Sequence, residues 1–244
     1  MKIVNEYLEK LSALINEVAE KEEKNIDAAI DACYSSIVNG GMIYTFGTGH
    51  SHLLAEEIFY RAGGLVSVYP MLDEGLMLHA GAAKSTTLER LEGYAAILAE
   101  HYALKEGSTI FIFSNSGRNA VTVEMAIEAK KRGLTVIAIT NMIHTSAASS
   151  RHSSGKKLCD VADIVIDNHG CYGDASMEIG KLRVSPTSTS VGAAILQSVV
   201  CGVVKTAEEN GVDIPVFSSS NIDGGDAVNE AHIKNFTDKV RPLW

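Results

Sequence analysis

The sequence predicts an α/β fold: a doubly wound α/β/α sandwich around a five-stranded parallel sheet. The first observation is a set of short, continuous apolar runs at 42–46, 65–69, 110–114, 134–140 and 164–167, alternating with longer segments of helical periodicity. Strands apolar on both sides are strands buried on both sides, the pattern of parallel sheets covered by crossover helices. The second is composition. Of 244 residues, 46% are apolar and 21% charged, enough for a large core and inconsistent with a disordered or fibrous chain.

Apolar residues first recur at three- and four-residue steps from Ile3 to Ile37, predicting a long N-terminal helix over 2–38. The dense charge between Lys21 and Asn25 marks a possible break. A continuous helix would run roughly 55 Å, longer than a small domain is wide, which favours packing on a partner subunit over two helices on one core. After Gly40-Gly41, Met42–Phe46 reads as a strand stopped by a glycine loop, with a helix from Ser51 to Ala62. Leu65–Tyr69 is a strand ended by Pro70. Residues 85–104 read as one helix, with Thr86 and Glu89 as a capping box. Ile110–Ser114 is a strand, Ala120–Arg132 a helix ended by Gly133, and Leu134–Thr140 and Ile164–Asp167 two more strands. An apolar helix from Ser188 to Asn210 and a C-terminal helical tail complete the chain. No repeat or linker divides it, so one domain is expected: a helical extension over 1–38, a core over 39–211 and a tail over 212–244.

Lys and Arg total 21 against 30 Asp and Glu, a formal charge of −9. That balance disfavours nucleic acid and anionic membranes as partners, while local backbone dipoles can still hold a small anion. No apolar run reads as long as a membrane span, and Met1–Glu9 is polar and helical, unlike a signal peptide. The four cysteines lie far apart without a C-x-x-C pair, which reads as free thiols in a reducing cytosol. A cytoplasmic protein is expected.

In an open parallel sheet, ligands bind beyond the carboxyl ends of the strands. Two such ends stand out: 45–51 (TFGTGHS) and 113–119 (FSNSGRN). Glycines admit a ligand to the backbone, hydroxyls offer donors, and the following helix start offers free N–H groups. Gly47-Thr48-Gly49 opens like a dinucleotide fingerprint, but His52 stands where the third glycine allows close helix–strand packing. No P-loop is present either, so neither NAD nor ATP, nor any other cofactor, is expected.

The loops Gly47–Ser51 (GTGHS) and Ser114–Asn119 (SNSGRN), with the Ser/Thr-rich stretch Ser185–Ser190 (SPTSTS), resemble the phosphosugar loops of SIS (sugar isomerase) domains. The resemblance spans roughly Ile37 to Gly211 and is strongest to bacterial SIS proteins described as phosphoheptose-isomerase-like. It implies a single SIS domain, a phosphorylated sugar as ligand, a homodimer or homotetramer, and sites built at subunit contacts. By position it implies that Ser51, Ser114, Ser116 and Asn119 hold phosphate and sugar hydroxyls, with Gly47, Thr48, Gly49, His50, Asn115, Gly117, Ser188 and Thr189 around them. The family more often has a Thr near Asn119 and a smaller residue than Arg118.

Aldose–ketose isomerisation needs a base that moves a proton between adjacent carbons and an acid near an oxygen. Glu56 follows the first loop on its helix and is the preferred base; Glu57, four before Arg61, has an ion pair as its simpler explanation. His79 lies in a glycine-containing loop near Lys84. His232, on the tail, could be an acid supplied across a subunit contact, as the resemblance implies. His50 and His52 point different ways on a starting helix, so no metal site is expected from them. Residues 221–230 form either a turn before a final helix or a loop closing on sugar hydroxyls. A phosphosugar lyase on the same site and a non-catalytic phosphosugar-binding protein are the alternatives to an isomerase.

Overall fold

Period-two alternation along each strand feeds two cores, one on either side of the sheet. The computed structural model describes residues 2–243. Strands β1 (Ile43–Gly47), β2 (Val68–Pro70), β3 (Thr109–Phe113), β4 (Thr135–Thr140) and β5 (Ile164–Asp167) form a parallel sheet in the order β2-β1-β3-β4-β5. On one face Tyr44, Phe46, Ile110, Ile112, Val136 and Ala138 meet helices α5 (Tyr94–His101) and α6 (Ala120–Lys131). On the other, Ile43, Phe111, Phe113, Ile137 and Ile139 meet α2 (Glu23–Val38), α3 (His52–Glu57) and α8 (Ser188–Glu209). The expected sandwich and its five strands are therefore present.

The remaining helices are α1 (Lys2–Lys21), α4 (Ala82–Leu88), α7 (Met142–Ala147) and α9 (Gly225–Phe236). The charged stretch does interrupt the N-terminal helix. Glu22 leaves helical geometry (φ −104°, ψ 5°) between α1 and α2, although Glu22 N still donates to Val18 O and Ile26 N to Glu22 O. Of the residues in α1, only Val18 is buried, and Ile3, Val4, Leu8 and Ile15 are exposed.

Several boundaries differ from the sequence reading. The helix after the first loop ends at Glu57, where Ile58 (φ −104°) and then Tyr60 (φ 44°) leave helical geometry. The helix read over 85–104 is two helices, because Gly93 takes φ 87° between α4 and α5. The capping box is absent: α4 begins earlier, after Gly81, and the Glu89 carboxylate is spent elsewhere. An unforeseen antiparallel hairpin, β6 (Ala175–Ile179) with β7 (Leu182–Pro186), turns through Gly180-Lys181. Tyr7 Oη donates to Pro186 O and Lys10 Nζ to Ser176 O, seating α1 on that hairpin.

One correction concerns the membrane. By length and composition α8 could cross a bilayer, contrary to the reading that no run reaches that length. Its apolar face is instead core: Val191, Ile195, Leu196, Val199, Val200, Val203 and Ala207 are buried. The tail pairs with the segment leading into edge strand β2, with Leu65 bridged antiparallel to Val216 and Phe217 N donating to Gly64 O.

The stacked pair Phe111 and Phe113 (centroids 6.1 Å apart) anchors the α2/α8 side of the sheet. Phe111→Ala should cost about 3–5 kcal/mol and lower the thermal midpoint by roughly 6–20 °C. Thermal unfolding checks this; a loss under about 1 kcal/mol would mean the site collapses around the cavity.

Candidate functional site

Strand β1 has β2 on one side and β3 on the other, so the connections leaving β1 and β3 diverge at their carboxyl ends. The two glycine–hydroxyl loops stand at that divergence. Gly47 ends β1 where a Cβ would come within 2.4 Å of Ser51 O, so the tight return into α3 requires glycine. Gly117 takes φ 60° in the second loop, and its N–H donates to Ser114 Oγ at 3.1 Å. Ser114 and Asn119 are buried; Ser51, Asn115 and Ser116 are half-buried.

Side-chain amides tie the strand ends together. Asn141 Nδ2 donates to Asn168 Oδ1 (3.0 Å), and Asn168 Nδ2 donates to Asn115 Oδ1 (2.8 Å). Asn141 follows β4, Asn168 follows β5 and Asn115 follows β3, so one relay fixes three strand termini. Sequence reading missed Asn141 and Asn168, each directly after an apolar strand.

Between the loops lies a cleft of about 30 Å³, lined by His50, Ser51, Leu54, Phe113, Ser114, Asn115, Ile139, Asn168, Ser188 and Thr189. The structure thus gathers all three of the predicted loop segments. Leu54 and Thr189 also line an adjoining groove of about 410 Å³ between α3 and α8, which contains Glu56. A cleft that small holds about one water; the groove is of small-molecule size.

Other expected residues fall around this centre. Thr48 is buried, and its Oγ1 donates to Glu89 Oε2 at 2.9 Å. His52 turns back so that its Nδ1 meets Gly49 O, and exposed His79 sits edge-on to it, ring centroids 6.2 Å apart. Glu57 pairs with Arg61 and accepts from Gln197 Nε2, while Glu56 is exposed and has no ion pair among the described residues. His232 stands edge-on to Phe217, beside the chain leading into β2, and does not line the cleft.

Ser188 is already engaged. Its Oγ donates to Asp174 Oδ2 (2.6 Å), while Asp174 Oδ1 accepts from Thr187 N and Ser188 N. A carboxylate thus caps the start of α8 at the rim of the cleft. Asp174, just before the hairpin, adopts φ 68°; Ser185 within it and His169 after β5 adopt φ 62° and 51°. Such conformations are costly for residues with a Cβ. Among the described residues one group could hold a metal ion: Glu92, Glu124 and His152, beside the second loop. Their carboxylates already accept from Ser153 and Gly93.

Comparison with known proteins agrees with this fold. The SIS domain family matches residues 6–141, more than half of the chain, and this chain belongs to that family. Its relatives include the UPF0309 protein of Shouchella clausii (strain KSM-K16), 43% identical over 243 residues, 98% of this chain and 99% of that one. The UPF0309 protein of Geobacillus thermodenitrificans (strain NG80-2) is 41% identical, covering 99% and 98%. Among solved structures, a phosphoheptose isomerase from Francisella tularensis aligns with a TM-score of 0.55 at 19% identity, covering 84% of this chain and 97% of that one. The Vibrio vulnificus NanR protein complexed with ManNAc-6P aligns with a TM-score of 0.53 at 17% identity, covering 99% and 70%. At those identities the likeness is one of fold.

Burial first, and then the Arg118 charge, hold the His144 pKa below its ordinary 6.5, with Asp174 opposing. Between that lowered value and 6.5 the unfolded chain carries more protons, so this histidine's contribution is lost as pH falls through 6.5. Thermal midpoints between about pH 5 and 7.5 should fall less on acidification in His144→Asn than in the wild type. Parallel curves would remove His144 as a source of acid sensitivity.

Proposed function

We propose that this chain binds a phosphorylated sugar at the carboxyl ends of β1 and β3 and interconverts its aldose and ketose forms. The observation that carries the reading is the continuity of the serine-lined cleft with the groove holding Glu56, through Leu54 and Thr189. Phosphate and hydroxyls meet the two loops, and the carbons to be deprotonated extend along the groove. Glu56, exposed and without an ion pair among the described residues, is the base; Glu57 is committed to Arg61 and Gln197. His79, near the first loop, is a candidate acid within the subunit.

A homo-oligomer completes the reading. Helix α1 leaves Ile3, Val4, Leu8 and Ile15 exposed, an apolar set suited to a second copy of this chain. A partner copy is also what would bring a His232 to the cleft. We read the chain as one cytoplasmic domain, with an extension over 1–38, a core over 39–211 and a tail over 212–244.

Thermal unfolding against a panel of sugar phosphates, with the unphosphorylated sugars and NAD as controls, tests binding. A ligand at one hundred times its dissociation constant should add about 2.7 kcal/mol. That moves the midpoint by roughly 5–10 °C. Glu56→Gln should then abolish isomerisation while keeping most of that shift. Turnover retained in Glu56→Gln removes Glu56 as the base; a shift without turnover in the wild type makes the chain a binding protein; a shift with NAD alone overturns the reading.

A further inference from the structure

A cavity of about 180 Å³ lies where the C-terminal tail meets the chain leaving α3. Its lining includes Tyr60, Arg61 and Phe217, the run 218–221 (SSSN) and Asn229. Arg61 also lines the groove that contains Glu56, so the cavity continues the path that starts at the serine cleft. The tail is built to hold its serines there. Asn229, buried on α9, accepts from Ser218 N through Oδ1 (2.9 Å) and donates through Nδ2 to Ser218 O (3.0 Å) and Ser220 Oγ (3.2 Å). Gly225 closes the loop, since a Cβ there would come within 2.0 Å of Ser219 O.

Tyr60 is the costly member. It adopts φ 44°, a left-handed conformation that bulky side chains rarely take, and strain of that kind concentrates at functional sites. Its ring stands edge-on to buried Phe217 (centroids 5.1 Å apart), yet the residue is 49% exposed. Neither Tyr60 Oη nor Ser218 Oγ makes a hydrogen bond among the described residues. Ser219 Oγ and Ser220 Oγ each accept one, which leaves their O–H groups to donate. Charge in the cavity is balanced. Arg61, the one charged residue in the lining, pairs with Glu57, and none of the tail acids Asp223, Asp226 and Glu230 lines it. An aromatic face beside hydroxyls and the Asn221 amide, without net charge, suits the C–H face and hydroxyl rim of a sugar ring. The volume is that of roughly six waters, the scale of one hexose.

We propose that this cavity is a second, neutral sugar subsite: the phosphosugar held at the two loops carries an uncharged glycosyl group, and that group lies on Tyr60 among the tail serines. The inference deepens the phosphosugar reading and rests on it for the placement of the first ring. Chemistry then restricts the linkage. A ring opens to its aldose only if its anomeric oxygen is unsubstituted, so the second sugar is joined through another hydroxyl. The ligand is a reducing disaccharide with its phosphate on the reducing ring. Along the path stand phosphate at the loops, the reacting carbons beside Glu56, and the glycosyl group in the tail cavity. The run 221–230 is thus both a turn into α9 and a loop that meets sugar hydroxyls, through Asn221 and Asn229.

Calorimetric titration of the full chain tests the subsite. The probes are glucose, galactose and mannose 6-phosphates, the same three carrying a glucosyl group on O3 or O4, and unphosphorylated maltose. At least one glucosylated probe should bind about ten-fold more tightly than its parent. Ser218→Ala should remove about five-fold of that gain. Tyr60→Asn, which drops the ring but suits the left-handed backbone, should remove most of it. Both variants should hold the parent hexose phosphates within about two-fold of wild type. Should Tyr60→Asn fail to fold, Ser218→Ala, whose hydroxyl bonds nothing among the described residues, gives the same reading. No gain from glucosylation, or a gain that both variants keep, overturns the subsite, and binding of the parents then leaves the phosphosugar reading standing. Maltose bound in the wild type and weakened in Ser218→Ala, with no hexose phosphate bound, leaves the subsite standing and defeats the phosphosugar reading instead. Binding of none of these probes overturns both.

Discussion

The site depends on the position of β1, held between β2 and β3 in a sheet whose order reverses there. Chain leaving β1 and chain leaving β3 must part, and the space opened at their carboxyl ends is where the two hydroxyl-rich loops meet. The rest of the structure holds that parting in place. Buried Thr45 donates through Oγ1 to Ala55 O (2.7 Å), tying β1 to α3. Thr140 Oγ1 donates to Ser114 O (2.7 Å), tying β4 to the second loop. Asn168 then bridges Asn141 and Asn115 over β3, β4 and β5. Thr45, Thr140 and Asn168 are each satisfied by a neighbour that also positions a loop or helix, so this polar network and the site geometry are one construction.

Charge divides this surface into two regions. On one side, Asp174 occupies the start of α8 and keeps the cleft short of positive charge. On the other, Arg151 donates to Asn119 Oδ1 and Arg118 donates to Ser149 Oγ, with Glu89 opposing the charge on Arg151. Glu89 in turn holds Thr48 of the first loop, so the two loops communicate through a single carboxylate. The positive φ of Asp174 and of His169 marks the hairpin region as a place where backbone energy was given up for side-chain placement. His169 itself lies among Glu17, Glu22 and Asp167, joining the end of β5 to the break between α1 and α2.

The five strands were legible because buried parallel strands are short apolar runs, and Ile110–Phe113 or Val136–Ile139 can be little else. The loops Gly47–Ser51 and Ser114–Asn119 were legible because their glycines and hydroxyls follow strands directly. Other features left weaker traces. Gly93 splits a segment whose apolar spacing reads as one helix, since periodicity registers side chains and not a single left-handed residue. The β6–β7 hairpin alternates, but its Lys181, Arg183 and Glu178 mask the pattern, and only the Gly180-Lys181 turn signals it. Asp174 acts on Ser188 across fourteen residues of hairpin, and Arg151 acts on Asn119 across thirty-two. No local spacing encodes either contact. The free thiols fit the absence of a C-x-x-C pair in the sequence: Cys33 is buried in the core on the α2/α8 side of the sheet, and burial pushes its thiol up.

The account places ligand binding at the carboxyl ends of β1 and β3, although a larger cavity of about 430 Å³ lies at the other end of the sheet, beside Gly41, Met42, Ile214 and Pro215. Amide hydrogen exchange with and without a saturating sugar phosphate separates the two. The account predicts slowed exchange at residues 47–51 and 114–119, with the segments 38–42 and 212–216 unchanged. Protection confined to 38–42 and 212–216 would contradict it and move the binding site to the opposite end of the molecule.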